Sequence, residues 1–234
     1  MEREQAKQTI GKLGWLARLP ETHRSKILSR SVLKKFNKED AIYVPGDPPA
    51  GMYGLVTGTL SIVAAPEGSN SQLLHTALPG FWFGEGPAIS GAPRRVGVTA
   101  RSDVTALHLS LRAIKEMTND DPTMWRSIAL NALLSFDLAV RALHDARLPD
   151  AHVKVSTILL RLAGHRSPDL AVGAPRTIEI TQTELADIAG LSRNVINRVL
   201  RELSKKALVT VGYGFIELPD PELLTRRLTS ASGP

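Results

Sequence analysis

Hydrophobic and polar positions change their spacing twice along the chain, and these changes divide it into three stretches. From about Phe36 to Leu109, short runs rich in β-branched residues alternate with Gly and Pro turns, which is typical of a small β-sandwich or barrel. Helical spacing precedes this stretch and returns after it. The predicted strands are Ala41–Val44, Met52–Val56, Thr59–Ala64, Gln72–Leu78, Arg95–Ala100 and Val104–Leu109.

Short helices are predicted on both sides of the β-rich stretch. Before it, the spacing predicts helices over Glu4–Leu19 and Glu21–Val32, because Pro20 breaks the pattern between them. After it, Leu111–Met117 is a predicted helix with Ser110 as its cap. Together these elements form a first predicted domain, residues 1–120.

A long helix is predicted next, over residues 121–148, since Asp121 can cap it and Pro122 suits its first position. Its apolar residues lie on two sides, which predicts burial on both. One side would cover the β-rich domain, and the small alanines of the other would let a second copy of the helix approach closely. Burial of both sides within one chain is the alternative. The predicted dimer interface consists of Ile128, Ala132, Phe136, Ala139 and Leu143.

The third predicted domain covers residues 150–234, because Pro149 breaks the long helix and Asp150 can cap a new one. Its most informative part is the segment Thr181–Lys206, which has the pattern of two helices joined by a tight turn. Thr181 and Glu184 form a capping box, Gly190 supplies the left-handed geometry that ends a helix, and Ser192 caps the second helix.

The second helix of this pair has an apolar side and a basic side. Val195, Val199, Leu200 and Leu203 are predicted to face inward, which leaves arginines and asparagines outside. Arg pairs bidentately with guanine and Asn with adenine, so the pattern favours a helix-turn-helix whose second helix enters a major groove. A solvated basic surface is the alternative. The predicted DNA contacts are Thr181, Gln182, Ser192, Arg193, Asn194, Asn197, Arg198 and Arg201.

A hairpin is predicted directly after this helix, with strands over Leu208–Thr210 and Phe215–Leu218 and a glycine-rich turn between them. A hairpin in this place makes a winged module. Tyr213 would then lie on the sugar-phosphate backbone of DNA at the tip of the wing, or would pack under the turn.

Composition supports a polyanionic partner and excludes several classes of site. The 234 residues contain 29 Lys and Arg against 23 Asp and Glu, a net charge of +6. The absence of cysteine excludes disulfides, thiolate zinc sites and cysteine-ligated iron–sulfur clusters, and the six histidines lack metal-binding spacing, so no metal site is predicted. No secretory start or bilayer-length apolar run is visible, so we expect a cytoplasmic location and no membrane partner.

The order of these elements resembles that of the Crp/Fnr family of bacterial transcription regulators, from about Ile10 to Leu218. The resemblance implies an α+β fold with an N-terminal double-stranded, jelly-roll-like β-roll as sensor, a long dimerisation helix and a C-terminal winged helix-turn-helix. It also implies a homodimer on palindromic double-stranded DNA, with RNA polymerase as a further partner. The motifs that carry it are Gly46-Asp47, Gly58, Pro79-Gly80, Phe83-Gly84-Glu85, Arg94-Arg95, and Leu191-Ser192-Arg193 with Arg198.

In the cyclic-nucleotide binders of this family, the segment that matches Gly84–Val96 holds the cyclic phosphate. The resemblance makes Glu85 the ribose contact and Arg94 the phosphate contact. Arg95 and Val96 stand where cyclic-AMP responders usually carry Ser or Thr and then Ala, and Ala139-Val140 stands where the best-known responder offers hydroxyls to adenine. We therefore expect a regulator that does not require cyclic AMP, with an unidentified effector and no assigned cofactor. The candidate effector residues are Gly84, Glu85, Arg94, Arg95, Ala139 and Val140.

Three other readings stay open at this point. The chain could be a regulator that depends on a cyclic nucleotide, or a cyclic-nucleotide signalling module that does not bind DNA. It could also be a cupin-type β-barrel enzyme, although the strands show scattered histidines rather than clustered metal ligands. A haem at His75 or His144 is suggested only by analogy with gas-sensing relatives. We expect the chain not to be an enzyme.

Overall fold

Three short helices precede the β-rich region in the computed structural model, which describes residues 1–64, 72–166 and 176–231. They are α1 (Arg3–Ile10), α2 (Gly14–Ala17) and α3 (Glu21–Arg30). The prediction of one helix over Glu4–Leu19 is wrong, because Gly14 adopts a left-handed φ of +53° and a Cβ there would lie 2.3 Å from the Gly80 carbonyl oxygen.

Two four-stranded antiparallel sheets form the centre of the first unit, with strand orders β1-β8-β3-β6 and β2-β7-β4-β5. Apolar side chains from both sheets share one buried cluster, and a second cluster joins the first sheet to the flanking helices. This confirms the α+β fold with an N-terminal β-roll. The strands are β1 (Val32–Phe36), β2 (Ala41–Tyr43), β3 (Gly51–Thr57), β4 (Leu60–Ala64), β5 (Gln72–Ala77), β6 (Trp82–Phe83), β7 (Gly97–Ala100) and β8 (Val104–Ser110).

Three helices lie between or after these strands: α4 (Glu85–Ser90), α5 (Leu111–Asp120) and α6 (Met124–Arg147). The predicted cap of α5 is confirmed, since the Ser110 hydroxyl accepts a hydrogen bond from the Ala113 N–H at 3.2 Å. The start of α6 is anchored in the first unit, because Trp15 Nε1 donates to the Ser127 carbonyl at 2.7 Å and Ile128 is completely buried.

The chain divides into two compact units, Met1–Leu138 and Ala139–Pro234, so the division falls inside α6. In the second unit α7 begins as predicted, with the Asp150 carboxylate accepting from the Val153 N–H at 2.8 Å. A three-stranded sheet and three further helices follow, and most of the predicted loop Arg166–Arg176 lies outside the described residues. The elements are α7 (Ala151–Leu162), β9 (Thr177–Glu179), α8 (Gln182–Ala189), α9 (Arg193–Lys205), β10 (Thr210–Val211), β11 (Phe215–Glu217) and α10 (Pro221–Ala231).

Candidate nucleic-acid interface

The turn between α8 and α9 is built by the residues that the sequence indicated. Both hydrogen bonds of the capping box are present: Glu184 N–H donates to Thr181 Oγ1 at 3.1 Å, and Thr181 N–H donates to Glu184 Oε2 at 2.8 Å. Gly190 closes α8 with a left-handed φ of +60°, and Ser192 caps α9 by accepting from Val195 N–H at 3.4 Å. These local contacts fix where α9 starts and which way it leaves the turn.

One side of α9 belongs to the core of the second unit. The predicted inner face included Val195 and omitted Ile196, whereas the structure buries Ile196 completely and leaves Val195 half-buried. Val199, Leu200 and Leu203 are buried as predicted. This core orients α9 so that its opposite side faces solvent.

The opposite side of α9 carries positive charge that no group in the described part of the chain neutralises. Arg193, Asn194, Arg198 and Arg201 are exposed, and Asn197 is half-buried. Within the described residues, none of these five side chains makes a hydrogen bond or an ion pair. The single acidic residue of α9, Glu202, is held by His152, whose Nε2 lies 2.9 Å from Glu202 Oε2. A helix with free donors, whose one carboxylate already contacts a histidine, is suited to a polyanion.

The other predicted DNA contacts lie at helix starts. Thr181 and Ser192 use their hydroxyls as caps, so their side chains are already engaged within the chain. Gln182 is the first residue of α8 and is half-buried. Unpaired N–H groups at helix starts attract anions, so phosphate contacts are common at such positions.

The hairpin after α9 presents its aromatic tip to solvent. Gly212 N–H donates to the Phe215 carbonyl at 3.0 Å and closes the turn between β10 and β11. Tyr213 is fully exposed, and the Phe215 ring fills the space beside Gly212, where a Cβ would lie 2.2 Å from that ring. Of the two predicted positions for Tyr213, packing under the turn is therefore wrong.

A separate cavity of about 410 Å³ opens in the first unit beside α4. It brings together three of the residues suggested as effector contacts, since Glu85, Arg94 and Arg95 all line it. Ala139 and Val140 lie in the second unit, are exposed, and are not among the described residues that line this cavity. The cavity is lined by Tyr43, Glu85, Gly86, Pro87, Ser90, Ala92, Pro93, Arg94, Arg95 and Val96.

Arg94 is turned inward and is only 4% exposed. Its Nη1 donates to the Gly84 carbonyl at 3.2 Å, its Nη2 donates to the Gly51 carbonyl at 2.9 Å, and the guanidinium stacks 4.2 Å from the centre of the Tyr43 ring. The Nε of Arg94 is buried and has no hydrogen-bond partner in the described part of the chain. Arg94 therefore braces the walls of the cavity and keeps N–H groups available beyond those two bonds.

The electrostatics of the cavity are mixed. Arg95 is exposed, Glu85 is buried, and neither side chain has an ion-pair partner within the residues described. Burial raises the pKa of Tyr43, and the Glu85 carboxylate adds to that rise while Arg94 opposes it. Tyr43 is thus a neutral phenol close to the Arg94 guanidinium, and the arginines and the Glu85 carboxyl of the lining are groups suited to an anion that also carries a hydroxyl group.

An exposed apolar stripe runs along α6, but it differs from the predicted interface. Ile128 has no solvent exposure and packs in the core of the first unit, so it cannot belong to an exposed surface. Ala132 is half-buried, and Ala139 is exposed. The large exposed side chains are spaced by three, four and three residues, the spacing of a coiled-coil seam. They are Leu133, Phe136, Val140 and Leu143.

Metal and membrane readings find no support in the described residues. No group of three or more His, Asp or Glu side chains among them is arranged to hold a metal ion. His75 packs beside Phe81, with ring centres 5.9 Å apart. The helices of the described ranges are each too short or too polar to span a bilayer.

Two protein-family models match the chain, one in each unit. Residues 33–121 match the model described as Cyclic nucleotide-binding domain. Residues 153–227 match the model described as Crp-like helix-turn-helix domain. The order of the two matches is the order of the β-roll and the α8–α9 pair in the structure.

Characterised relatives cover most of the chain. The CRP-like cAMP-activated global transcriptional regulator of Mycobacterium tuberculosis is 24% identical over 193 residues, which is 82% of this chain and 86% of that protein. The transcriptional regulator LdrP of Thermus thermophilus is 25% identical over 206 residues, which is 85% of this chain and 98% of that protein. The structure of FixK2 from Bradyrhizobium japonicum has the same fold, with a TM-score of 0.69 at 19% identity over 84% of this chain and 96% of that one.

Proposed function

Since the chain belongs to the Crp/Fnr family of DNA-binding transcription regulators, we propose that it reads a palindromic DNA site as a homodimer. The observation that carries the proposal is the outward side of α9, where Arg193, Arg198 and Arg201 have no partner within the described chain. Exposed arginines on a helix that is fixed by its buried side can donate to phosphates and base edges without first breaking contacts within the protein.

The position of each side chain along α9 supports different roles, with some side chains contacting bases and others contacting phosphates. Arg193 and Asn194 occupy the first turn, which in a docked helix-turn-helix lies nearest the base edges. Lys205 and Lys206 lie at the far end, where a recognition helix leaves the groove. We therefore assign base reading to Arg193, Asn194 and Arg198, and phosphate contact to the lysines.

The wing and the helix starts would add phosphate contacts on either side of α9. Tyr213 stands fully exposed at the tip of a hairpin closed by backbone hydrogen bonds, so its ring is free to lie on sugar and phosphate. Thr181, Gln182 and Ser192 stand at helix starts, whose N–H groups favour phosphate oxygens. Such contacts position the protein and carry no sequence information themselves.

Dimerisation is assigned to α6. Leu133, Phe136, Val140 and Leu143 form a continuous exposed stripe on one side of the helix, and exposed apolar stripes of this kind mark interaction surfaces. A second copy of α6 with the same spacing would bury the stripe by two-fold packing. Two recognition helices would then face two half-sites about one helical turn apart.

The cavity beside α4 is assigned to a small effector that is not cyclic AMP. Arg94 and Glu85 retain the groups suited to a phosphate and a hydroxyl, which favours a nucleotide-dependent regulator as the second candidate. Against this, Ala139 and Val140 offer no hydroxyl, and Arg95 and Val96 replace a hydroxyl and a small side chain. The curated relative from Mycobacterium tuberculosis is described as cAMP-activated, so the two candidates differ in a directly measurable way.

The remaining assignments follow from the family. RNA polymerase is the proposed protein partner at the promoter, and the cytoplasm is the proposed location because the DNA to be read lies there. Regulators of this family act by binding, so no reaction is proposed for this chain.

The experiment that tests the proposal is selection of binding sites from random duplex DNA by the full-length protein, with excess nonspecific DNA as competitor. The expected product is an inverted repeat whose half-sites lie about 10–10.5 base pairs apart, centre to centre, or a multiple of that. Light scattering on the complex should give two chains per duplex. Enrichment of no sequence, or of an isolated half-site bound by one chain, would contradict the proposal.

A further inference from the structure

A buried cluster of charges joins the end of α6 to α7 inside the second unit. Asp145 has no solvent exposure, although it lies on the last turns of a helix that is otherwise exposed there. Its two carboxylate oxygens accept different hydrogen bonds, from Arg161 Nε at 2.7 Å and from Arg166 Nη1 at 2.6 Å. Arg161, near the end of α7, is also buried.

A second contact joins α6, one helical turn earlier, to the turn that follows α7. Arg141 Nη1 donates to the backbone carbonyl of Arg166 at 2.7 Å. The last turns of α6 are thus attached at two points to the end of α7 and the turn after it, while residues 148–150 connect the end of α6 to the start of α7. We call Arg141, Asp145, Arg161 and Arg166 the α6–α7 clasp.

The clasp is better suited to orient the helices than to add stability. Burial lowers the pKa of Arg161, and its hydrogen bond to Asp145 opposes that effect. Buried ion pairs of this kind return little net stability, because desolvation offsets their attraction. Their hydrogen bonds, however, tolerate only a narrow range of distances and angles, which apolar contacts do not demand.

The orientation that the clasp fixes is transmitted to the recognition helix. Val155, Ile158 and Leu159 of α7 pack in the same buried cluster as Val199 and Leu200 of α9. A closely packed core of this kind moves as one body. The last turns of α6 are therefore held in a fixed arrangement with α7 and α9 within the second unit.

We propose that Asp145 is a positioning residue for DNA binding, which fixes the direction of α9 relative to the last turns of α6 and so sets the half-site spacing that the dimer accepts. The inference rests on the proposed function, in which α6 forms the dimer. One added base pair displaces a half-site by about 3.4 Å and turns it by about 34° around the DNA axis. A rigid clasp makes the dimer sensitive to such a change, and a loose one lets each recognition helix follow its half-site.

The test compares the full-length protein with a double variant, Asp145→Leu with Arg161→Met, which replaces both buried charges by apolar side chains. Binding is measured by fluorescence anisotropy on duplexes with the selected half-sites at the selected spacing, with one or two added base pairs, and with a single half-site. We expect the parent to prefer the selected spacing by about tenfold or more, equivalent to about 1.4 kcal/mol. The double variant should bind the single half-site as the parent does and lose most of that preference.

A matched control removes an ion pair that lies outside the clasp. Arg30 and Glu116 form a partly exposed pair in the first unit, with Nη1 and Oε2 2.6 Å apart. The double variant Arg30→Met with Glu116→Leu should keep the spacing preference of the parent. If it loses the preference as well, the effect is not specific to the clasp and the proposal is overturned.

The remaining outcomes separate the clasp from the proposed function. If the parent is a monomer or shows no spacing preference, both the proposed dimer and this inference fail. If the parent is selective and the folded, dimeric double variant is equally selective, the inference alone fails. Should the double variant not fold, Arg161→Lys keeps the charge but loses the fixed guanidinium geometry. An unreduced spacing preference in Arg161→Lys overturns the inference, and a reduced one with unchanged single half-site affinity supports it.

Discussion

At the scale of single residues, the proposed recognition of DNA sequence depends on exposed arginines whose position is fixed by α9. Arg193 is the first residue of α9, directly after the Ser192 cap, and its exposed guanidinium can donate in parallel to the O6 and N7 atoms of guanine. We expect Arg193→Ala to cost about 1–3 kcal/mol of specific binding and to relax the preference at one base pair. Arg198→Ala should do the same at a different base pair. Repeating the site selection with each variant measures both effects.

Lys205 provides the matched comparison, because it lies on the same helix and is exposed but stands at the end of α9 that we expect to leave the groove. Lys205→Ala should weaken all duplexes alike and lower the salt dependence of binding by the equivalent of about one phosphate contact. If Arg193→Ala leaves both the consensus and the affinity of the parent, the assignment of base reading to α9 is incorrect.

The residues that the sequence predicted correctly are those whose role is local. Thr181, Glu184 and Gly190 act within one or two helical turns, so their spacing alone predicts the hydrogen bonds that the structure contains. Ile196 and Ile128 were misplaced because their burial depends on which neighbours cover each helix. Helical spacing alone does not fix the direction of the buried face to within one residue. The inward turn of Arg94 depends on carbonyls of Gly84 and Gly51, and distant backbone contacts of that kind have no signature in the sequence.

At the scale of the element, the exposed stripe of α6 predicts the assembly. Phe136 is 64% exposed and lies at the centre of the stripe. Phe136→Glu would place two like charges in the seam of a two-fold dimer, away from water and without a partner. We expect light scattering at micromolar concentration to find monomers, with helicity unchanged by circular dichroism. A dimer that persists in this variant would show that α6 does not form the interface.

Ala139→Glu is the graded comparison for the α6 stripe. It adds the same charge on the same helix. On the helix surface, however, Ala139 lies at the flank of the stripe and not on the line that joins Phe136 to Val140. We expect a smaller increase in the dissociation constant of the dimer than for Phe136→Glu, measured by sedimentation. Equal losses from both variants would place the seam closer to the predicted set with Ala132 and Ala139.

The turn between α8 and α9 depends on Gly190, whose φ of +60° is unfavourable for residues with a Cβ. The space around it is open, so the cost of a side chain there is conformational rather than steric. Gly190→Ala should lower the free energy of unfolding by about 1–2 kcal/mol. Gly190→Asn should lose less, because Asn tolerates this region better. Urea unfolding of the two variants measures the difference, and equal stability of Gly190→Ala and the parent would contradict it.

The elements that sequence reasoning missed are short or have distant partners. β6 consists of two residues, and β1 contains two consecutive lysines; only its first residue, Val32, fell within a predicted helix. Both strands exist because they pair with residues far along the chain, β1 with β8 and β6 with β3. β9 is recruited in the same way by β11. Strand pairing of this kind is decided by tertiary contacts, which local propensity does not record.

At the scale of the whole molecule, regulation requires that occupation of the cavity in the first unit changes DNA binding by the second. A ligand can shift such an equilibrium only by the difference in its affinity for the two states. The resemblance to cyclic-nucleotide binders implies fewer contacts for cyclic AMP, because Arg95 stands where a phosphate-facing hydroxyl is usual and Ala139 and Val140 stand where the best-known responder offers hydroxyls. Each lost hydrogen bond removes about 0.5–1.5 kcal/mol net from the binding free energy. After several such losses, the difference in affinity for the two conformations of the protein must also be small.

We therefore predict that cyclic AMP is not required for specific DNA binding by this regulator. Arg94 still has N–H groups that can donate hydrogen bonds to a phosphate, so weak binding of cyclic AMP to the free protein is compatible with the prediction. The measurement is the affinity for the selected duplex across a cyclic-AMP titration, beside calorimetry on the free protein, with Arg94→Ala as the control for binding in the cavity. The expected change in DNA affinity is less than about threefold, or about 0.7 kcal/mol. A gain of about tenfold or more at micromolar cyclic AMP, abolished by Arg94→Ala, would contradict the prediction and favour a nucleotide-dependent regulator, because only a ligand bound differently by the two states can produce it.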